Sequence, residues 1–369
     1  MTASAPKLFA SPAFRTTAAT LRSTVLAAGP SSSNNNDSNS SSSYVLGIVP
    51  LTGAGGYAIS TSAPSNAIHV VDGETLRVVG SLNGGGDGSG FSKGKGSGGG
   101  AGLKTAHEGG VTCLKTAAST AASGGGLVSC GKEGSVVIWD TRSGSNGKVG
   151  VKMFSSTNGK PRALLSCDIS ANGWTVAAGS ELQGDDAIIS YWDPRNPSTP
   201  LRTHTSTHSD DVTVVSFAPP GYTVNPASSP DHNDDSEDAE MASASQLSEA
   251  TVSSSSNKLL LLTGSTDGLL NVSDAYEEDE DEAVLLTANW GCSIAQAGWV
   301  GEKGEGVWAG SDMETFSTWS SELDPILDFD IREPGVHGGD VQWVTDYLVG
   351  CHSPSASIPK LSVFVGSNE

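Results

Sequence analysis

Five short apolar runs recur along this chain, and each closes on an aromatic or apolar residue followed by an acid or its stand-in. They are Ile68-His69-Val70-Val71-Asp72, Val136-Val137-Ile138-Trp139-Asp140, Ile189-Ser190-Tyr191-Trp192-Asp193, Leu270-Asn271-Val272-Ser273-Asp274 and Phe316-Ser317-Thr318-Trp319-Ser320. Their final positions, 72, 140, 193, 274 and 320, lie 68, 53, 81 and 46 residues apart. Two of those gaps hold stretches of different composition. Residues 82–103 carry eleven glycines, and residues 222–256 run through Asp231, Asp234, Asp235, Glu237, Asp238 and Glu240 into Ser253–Ser256. Setting these 22 and 35 residues aside leaves spacings of 46, 53, 46 and 46. β-Branched and aromatic runs between turn residues read as strands. A period in the mid-forties corresponds to one four-stranded sheet per unit, and such sheets set side by side around an axis make an all-β propeller.

A repeat of this length closing on Trp-Asp resembles the WD40 repeat. The resemblance implies a hydrogen-bonded tetrad: a His before the first strand, a Ser or Thr on the second, an acid in the next turn and the Trp of the third. Unit two offers His107, Ser129, Glu133 and Trp139, with Glu where Asp is usual. Unit four offers His208, Thr263 and Asp267, but Ser273 stands where Trp belongs, which predicts a weaker network there. In both, the acid precedes the Trp position by six residues, and Asp186 stands at the same distance from Trp192. Unit five departs, with Asp312 seven residues before Trp319, and unit one lacks the acid.

The rest of the chain divides by composition. Residues 1–43 form a polar tail, and with the inserts 82–103 and 222–256 they bury too little apolar surface to order, so they are expected to be disordered. Residues 44–369, apart from those inserts, hold the propeller. Lys360-Leu361-Ser362-Val363-Phe364-Val365-Gly366 reads as the second strand of a sixth blade. The turn and third strand of that blade would begin at Glu369, where the sequence stops. The expectation is an incomplete seven-bladed ring of five blades and part of a sixth, with Thr20–Ala27 as a candidate closing strand.

Charge and cysteine usage narrow the function classes. Lys and Arg total 20 against 41 Asp and Glu, a net charge of -21. Nucleic-acid binding draws affinity from clustered Lys and Arg, so no direct nucleic-acid partner is expected. No apolar run approaches eighteen residues, and no membrane span is expected. Cys113, Cys130, Cys167, Cys292 and Cys351 include no CxxC pair, which suits reduced thiols in cytosol or nucleus. An alternative mitochondrial address comes from the first 36 residues, which lack acids and carry Lys7, Arg15 and Arg22. The acids concentrated in 231–240 and in Glu277–Glu282 have two readings: solvated loops, or a docking surface for a basic partner.

Catalytic, cofactor and metal residues are not assigned. His208-Ser209-Asp210-Asp211 holds triad residue types, yet neighbours in one turn do not form a nucleophile–base–orienter chain. Gly94-Lys95 is no P-loop, because Ser89 occupies the first glycine position and Gly96 the Ser/Thr position. No convergence of carboxylates or histidines at the ring axis is expected.

Several segments resemble the WD repeat-containing protein 89 family: Tyr44-Val45-Leu46-Gly47-Ile48, Asp185-Asp186-Ala187-Ile188-Ile189, Thr207-His208-Ser209-Asp210-Asp211-Val212-Thr213, Gly264-Ser265-Thr266-Asp267-Gly268-Leu269 and Tyr347-Leu348-Val349-Gly350. That resemblance implies a seven-bladed interaction platform without an assigned reaction. Trp139-Asp140-Thr141-Arg142 and Trp192-Asp193-Pro194-Arg195 also resemble the Trp-Asp-x-Arg boxes of substrate receptors for cullin-4 RING ubiquitin ligases, making Arg142 and Arg195 candidate adaptor contacts. The function expected is a non-catalytic scaffold or adaptor, with the ligase receptor as the alternative.

Overall fold

Alternating apolar runs and tight turns build antiparallel hairpins, and here the hairpins join in fours. The computed structural model describes residues 43–51, 55–82, 107–117, 126–141, 148–157, 160–224, 258–333, 344–353 and 360–367. Blade 1 is β1 (Val45–Leu51), β2 (Gly56–Thr61), β3 (Ile68–Asp72) and β4 (Val78–Leu82). Blade 2 is β5 (Val111–Ala117), β6 (Gly126–Gly131), β7 (Ser135–Asp140) and β8 (Lys148–Phe154). A short pair, β9 (Ser156–Thr157) and β10 (Lys160–Pro161), leads to blade 3, made of β11 (Leu164–Ile169), β12 (Val176–Ser180), β13 (Ile189–Trp192) and β14 (Arg202–His204). Blade 4 is β15 (Val212–Phe217), β16 (Leu260–Ser265), β17 (Leu269–Asp274) and, after the helix α1 (Glu280–Ala283), β18 (Val284–Asn289). Blade 5 is β19 (Ile294–Val300), β20 (Gly306–Ser311), β21 (Thr315–Ser320) and β22 (Pro325–Asp330), and β23 (Tyr347–His352) pairs with β24 (Ser362–Gly366).

The repeat read from spacing is also a repeat of register. Val71, Trp139, Trp192, Ser273 and Trp319 face Tyr57, Leu127, Val176, Leu261 and Val307 at the same step of their hairpins. Neighbouring blades touch through their first strands, β1 on β5, β5 on β11, β11 on β15 and β15 on β19, so these strands line the axis. Core residues collect between blades: Val128, Val136 and Met153 of blade 2 pack with Leu164, Val176 and Trp192 of blade 3. Val214, Leu262 and Leu270 of blade 4 do the same with Val307 and Trp319 of blade 5. Each interface is a separate core, as in other stacked repeats.

Every first strand carries a one-residue bulge near its start, at Leu46, Thr112, Leu165, Thr213 and Ala295 directly after the opening residue and at Val349 one residue later. A bulge re-aims the side chain it holds. Thr112 donates its hydroxyl to the Leu164 carbonyl at 2.6 Å, and Thr213 donates to the Ile294 carbonyl at 2.6 Å. In blade 3 the next residue, Ser166, donates to the Val212 carbonyl at 2.9 Å. All three acceptors open the first strand of the following blade. Leu46 and Ala295 have no hydroxyl to give, so blade 1 meets blade 2 without this bond. Blade 5 reaches β23 differently: Leu348 N donates to the Glu314 carboxylate at 2.5 Å.

Two insert boundaries drawn from composition need correction. Leu82 is 2% exposed and closes β4, while Tyr222 packs at 4.5 Å centroid distance on Trp299 and donates its hydroxyl to the Ser321 carbonyl at 2.5 Å. Both are apolar residues buried by a neighbouring element, which composition alone does not register. The tail 1–42 with Thr20–Ala27, and the bulk of both inserts, lie outside the described residues. If the bulge hydroxyls fasten the blades, Thr112→Val and Thr213→Val should each lower the unfolding free energy by about 1 kcal/mol. Thr116→Val, on the same strand as Thr112, should change it little; urea denaturation compares the three.

Candidate functional site

In blade 2 the four residues picked out by spacing meet as one chain of hydrogen bonds. His107 is buried, with Nδ1 at 2.5 Å from Glu133 Oε1 and Nε2 at 2.7 Å from Ser129 Oγ. Trp139 Nε1 donates to the same Ser129 oxygen at 2.8 Å, and Ser135 donates to the Glu133 carboxylate. Burial alone would raise the Glu133 carboxyl, but the His107 and Ser135 hydrogen bonds outweigh it and hold it below its ordinary value. Blade 4 builds the shorter version. His208 Nδ1 lies 3.2 Å from Asp267 Oδ2 and Nε2 lies 2.9 Å from Thr263 Oγ1. Ser273 occupies the register position of Trp139, and its hydroxyl has no hydrogen-bond partner among the described residues.

Blade 3 does not assemble the arrangement suggested by Asp186 and Trp192. Trp192 is buried with its indole nitrogen unpaired among the described residues, and Asp186 is exposed in the long β12–β13 connection. The six-residue distance is the same, but the tight turn that would carry the acid under the strand is absent. Arg162 supplies the link instead. It is 3% exposed, and its guanidinium donates to the backbone carbonyls of Asp186 and Gln183. A single Arg before an apolar strand gives no sequence signal for that role.

Other polar contacts tie the blades near the axis. Lys115 and Asp168 occupy equivalent steps of β5 and β11; Lys115 Nζ stands 3.8 Å from Asp168 Oδ2 and donates to the Val215 carbonyl of blade 4 at 2.5 Å. Asp168 in turn accepts from Phe217 N at 2.9 Å. Burial would lower the lysine, but Asp168 holds it above its ordinary range. Cys113 lies opposite Cys130 in the hairpin, and its thiol approaches the Cys167 carbonyl at 3.7 Å. Hydrogen bonding from Cys130 and Cys167 depresses the Cys113 thiol, whereas burial pushes Cys130 and Cys167 up. Among the described residues, no three His, Cys, Asp or Glu side chains are placed to hold a metal ion.

Two surface features stand apart from the tetrads. Arg195 grips Asp193 through Nε at 2.9 Å and Nη2 at 2.6 Å, and its guanidinium lies 4.5 Å from the Trp174 ring centroid. Arg142 lies outside the described residues. The acidic run Glu277–Glu282 is a turn and one turn of helix rather than a free loop. Glu280 accepts from the backbone N–H groups of Thr205, Ser206 and Thr207 at 2.8, 2.7 and 2.7 Å, and from the Thr207 hydroxyl at 2.6 Å. Those donors overcome burial and hold the Glu280 carboxyl below its ordinary value. Nothing in an unbroken acidic run marks which acid will be the anchor.

No protein-family model matches the chain. An uncharacterized WD repeat-containing protein of Saccharomyces cerevisiae is 30% identical over 230 residues, 62% of this chain and 46% of that protein. An uncharacterized WD repeat-containing protein of Schizosaccharomyces pombe is 28% identical, covering 54% and 48%. WD repeat-containing protein GTS1 of Arabidopsis thaliana is 26% identical, covering 67% and 52%. Among solved structures, a chain of the mitotic checkpoint complex superposes with TM-score 0.51 at 15% identity, over 87% of this chain and 72% of that one. Sqt1 of Saccharomyces cerevisiae gives TM-score 0.50 at 12% identity, over 87% and 69%. The chain has the fold of a WD40 propeller. The relatives are named WD repeat-containing proteins, none of these names is that of the protein 89 family, and the chain spans about half the length of these curated relatives. In the propeller, His107 and His208 fasten the segments entering blades 2 and 4 to the sheets of those blades.

A carboxyl depressed in the folded state stabilises the fold above its unfolded value, about 4.3 for Glu, and that gain disappears as pH falls through the lower folded value. Glu133→Gln should therefore lower stability by about 1.5–3 kcal/mol near neutral pH. The difference from the wild type should close as pH falls below about 4. Thermal melts across that range measure it.

Proposed function

We propose that this propeller is a non-catalytic scaffold that binds other proteins, and that a basic client docks on the acidic surface of blade 4. The observation that carries the reading is the Glu280 anchor. It turns an acidic run into a fixed feature, leaving Glu277, Glu278, Asp279, Asp281 and Glu282 on a braced support at the surface. Charges held in place meet a partner without a further ordering cost, and complementary surfaces speed encounter and select partners by sign. The relatives are named for their WD repeats and for no activity, which agrees with an interaction role. A Lys/Arg-rich client segment should bind at 50 mM salt and lose about tenfold or more in affinity by 300 mM. Glu278→Lys combined with Glu282→Lys should weaken it by a similar factor at low salt; salt-independent binding by titration calorimetry would remove the reading.

The receptor reading rests on Arg195. Its exposed guanidinium is held by Asp193 and Trp174 in one orientation on the Trp-Asp-x-Arg turn. Recovery of the ligase adaptor with the tagged protein, lost in Arg195→Ala, supports it. Equal recovery from both proteins removes it.

A further inference from the structure

Three thiols meet where blade 2 packs on blade 3. Cys113 of β5 stands directly opposite Cys130 of β6, and Cys167 of β11 packs against both from the next blade. All three are free. Opposed residues of an antiparallel pair have Cα atoms about 4.5–5.5 Å apart, inside the roughly 4.4–6.8 Å span that a disulfide bridges. The propeller itself does not require thiols at these steps. The same two positions hold Gly47 and Ser60 in blade 1, Ser166 and Gly179 in blade 3, Val214 and Gly264 in blade 4, and Gln296 and Gly310 in blade 5.

The three are not equivalent. Cys130 and Cys167 are fully buried, whereas Cys113 is half-buried. Lys115 lies two residues on, and alternation along a strand puts it on the same face of β5 as Cys113. Hydrogen bonding from Cys130 and Cys167 holds the Cys113 thiol well below its ordinary value, and the Lys115 charge acts in the same direction. Burial holds the Cys130 thiol well above its own. An accessible thiolate is the sulfur that attacks an oxidant, and a neighbouring thiol resolves the product. We propose that Cys113 is a peroxide-reactive cysteine with Cys130 as its resolving partner, so that oxidation closes a disulfide across the β5–β6 hairpin. The Cys113 thiolate attacks one oxygen of hydrogen peroxide; the O–O bond breaks, hydroxide leaves and takes up a proton as water, and the sulfur becomes a sulfenic acid. Cys130 then attacks that sulfur; the S–S bond forms, the S–O bond breaks, and the Cys130 proton leaves with the oxygen as a second water. Two electrons pass from the thiol pair to one peroxide. The pair sits at the joint between blades, since Thr112, whose hydroxyl holds the Leu164 carbonyl, lies 3.3 Å from Cys130 Sγ.

The test treats the reduced, intact protein with hydrogen peroxide, caps the remaining thiols with N-ethylmaleimide and maps tryptic peptides by mass spectrometry. Trypsin cuts after Lys115, which parts Cys113 from Cys130. The expected product is a Cys113–Cys130 cross-link, lighter than the two peptides by two hydrogens. Cys351, whose thiol burial pushes up to about 12, should be oxidised at least about tenfold more slowly than Cys113. Serine stands at the Cys130 step in blade 1 and at the Cys113 step in blade 3, so the fold already holds both replacements. Cys130→Ser should lose the cross-link and leave a sulfenic acid at Cys113 that dimedone captures, and Cys113→Ser should lose both. Should either variant fail to fold, the wild-type map and rates decide alone. A cross-link from Cys113 to Cys167, a Cys113 no faster than Cys351, or oxidation of Cys130 that survives Cys113→Ser overturns the assignment.

Discussion

A four-stranded sheet has two faces to hide from water, and in this protein each face is hidden mainly by the sheet beside it. That dependence sets the geometry. Valines, leucines and tryptophans on one blade meet their counterparts on the next, so each core belongs to an interface. Sheet packing alone is non-directional. The directional element is the bulge near the start of each first strand, which turns Thr112 and Thr213 toward the opening carbonyl of the next blade. Packing brings the blades together, and these hydroxyls fix how far one is rotated against another.

The same architecture accepts different polar solutions from blade to blade. Blade 2 closes a full His–Glu–Ser–Trp chain, and blade 4 keeps the His–Asp–Thr half. Blade 3 substitutes an arginine reaching two carbonyls. All three solutions achieve one end, because each ties the segment entering a blade to a turn or hairpin connection of that blade. In these three blades the buried polar groups converge on one another and on the backbone.

Much of this was legible in the amino-acid order because a propeller repeats in one dimension. Once Trp139, Trp192 and Trp319 were matched, the strand register followed, since side chains alternate with a period of two. Blade 2's tetrad was readable for the same reason. Asp186 misled because distance along the chain does not record whether a connection is a tight turn or a long excursion. Arg162, the bulge threonines and Glu280 were invisible because their partners lie many residues away, or are backbone atoms that leave no trace in the letters.

The ring of Tyr222, seated against Trp299 with its hydroxyl on Ser321, has a wider consequence. It clamps the chain five residues after β15 ends, while Leu259, hydrogen-bonded to Asp274, holds the other side just ahead of β16. Whatever lies between those two anchors is mechanically insulated from the Phe217–Leu261 pairing. Closing a longer span costs only logarithmically more entropy. With both ends of the stretch held, a change in its length is expected to cost the β15–β16 hairpin little.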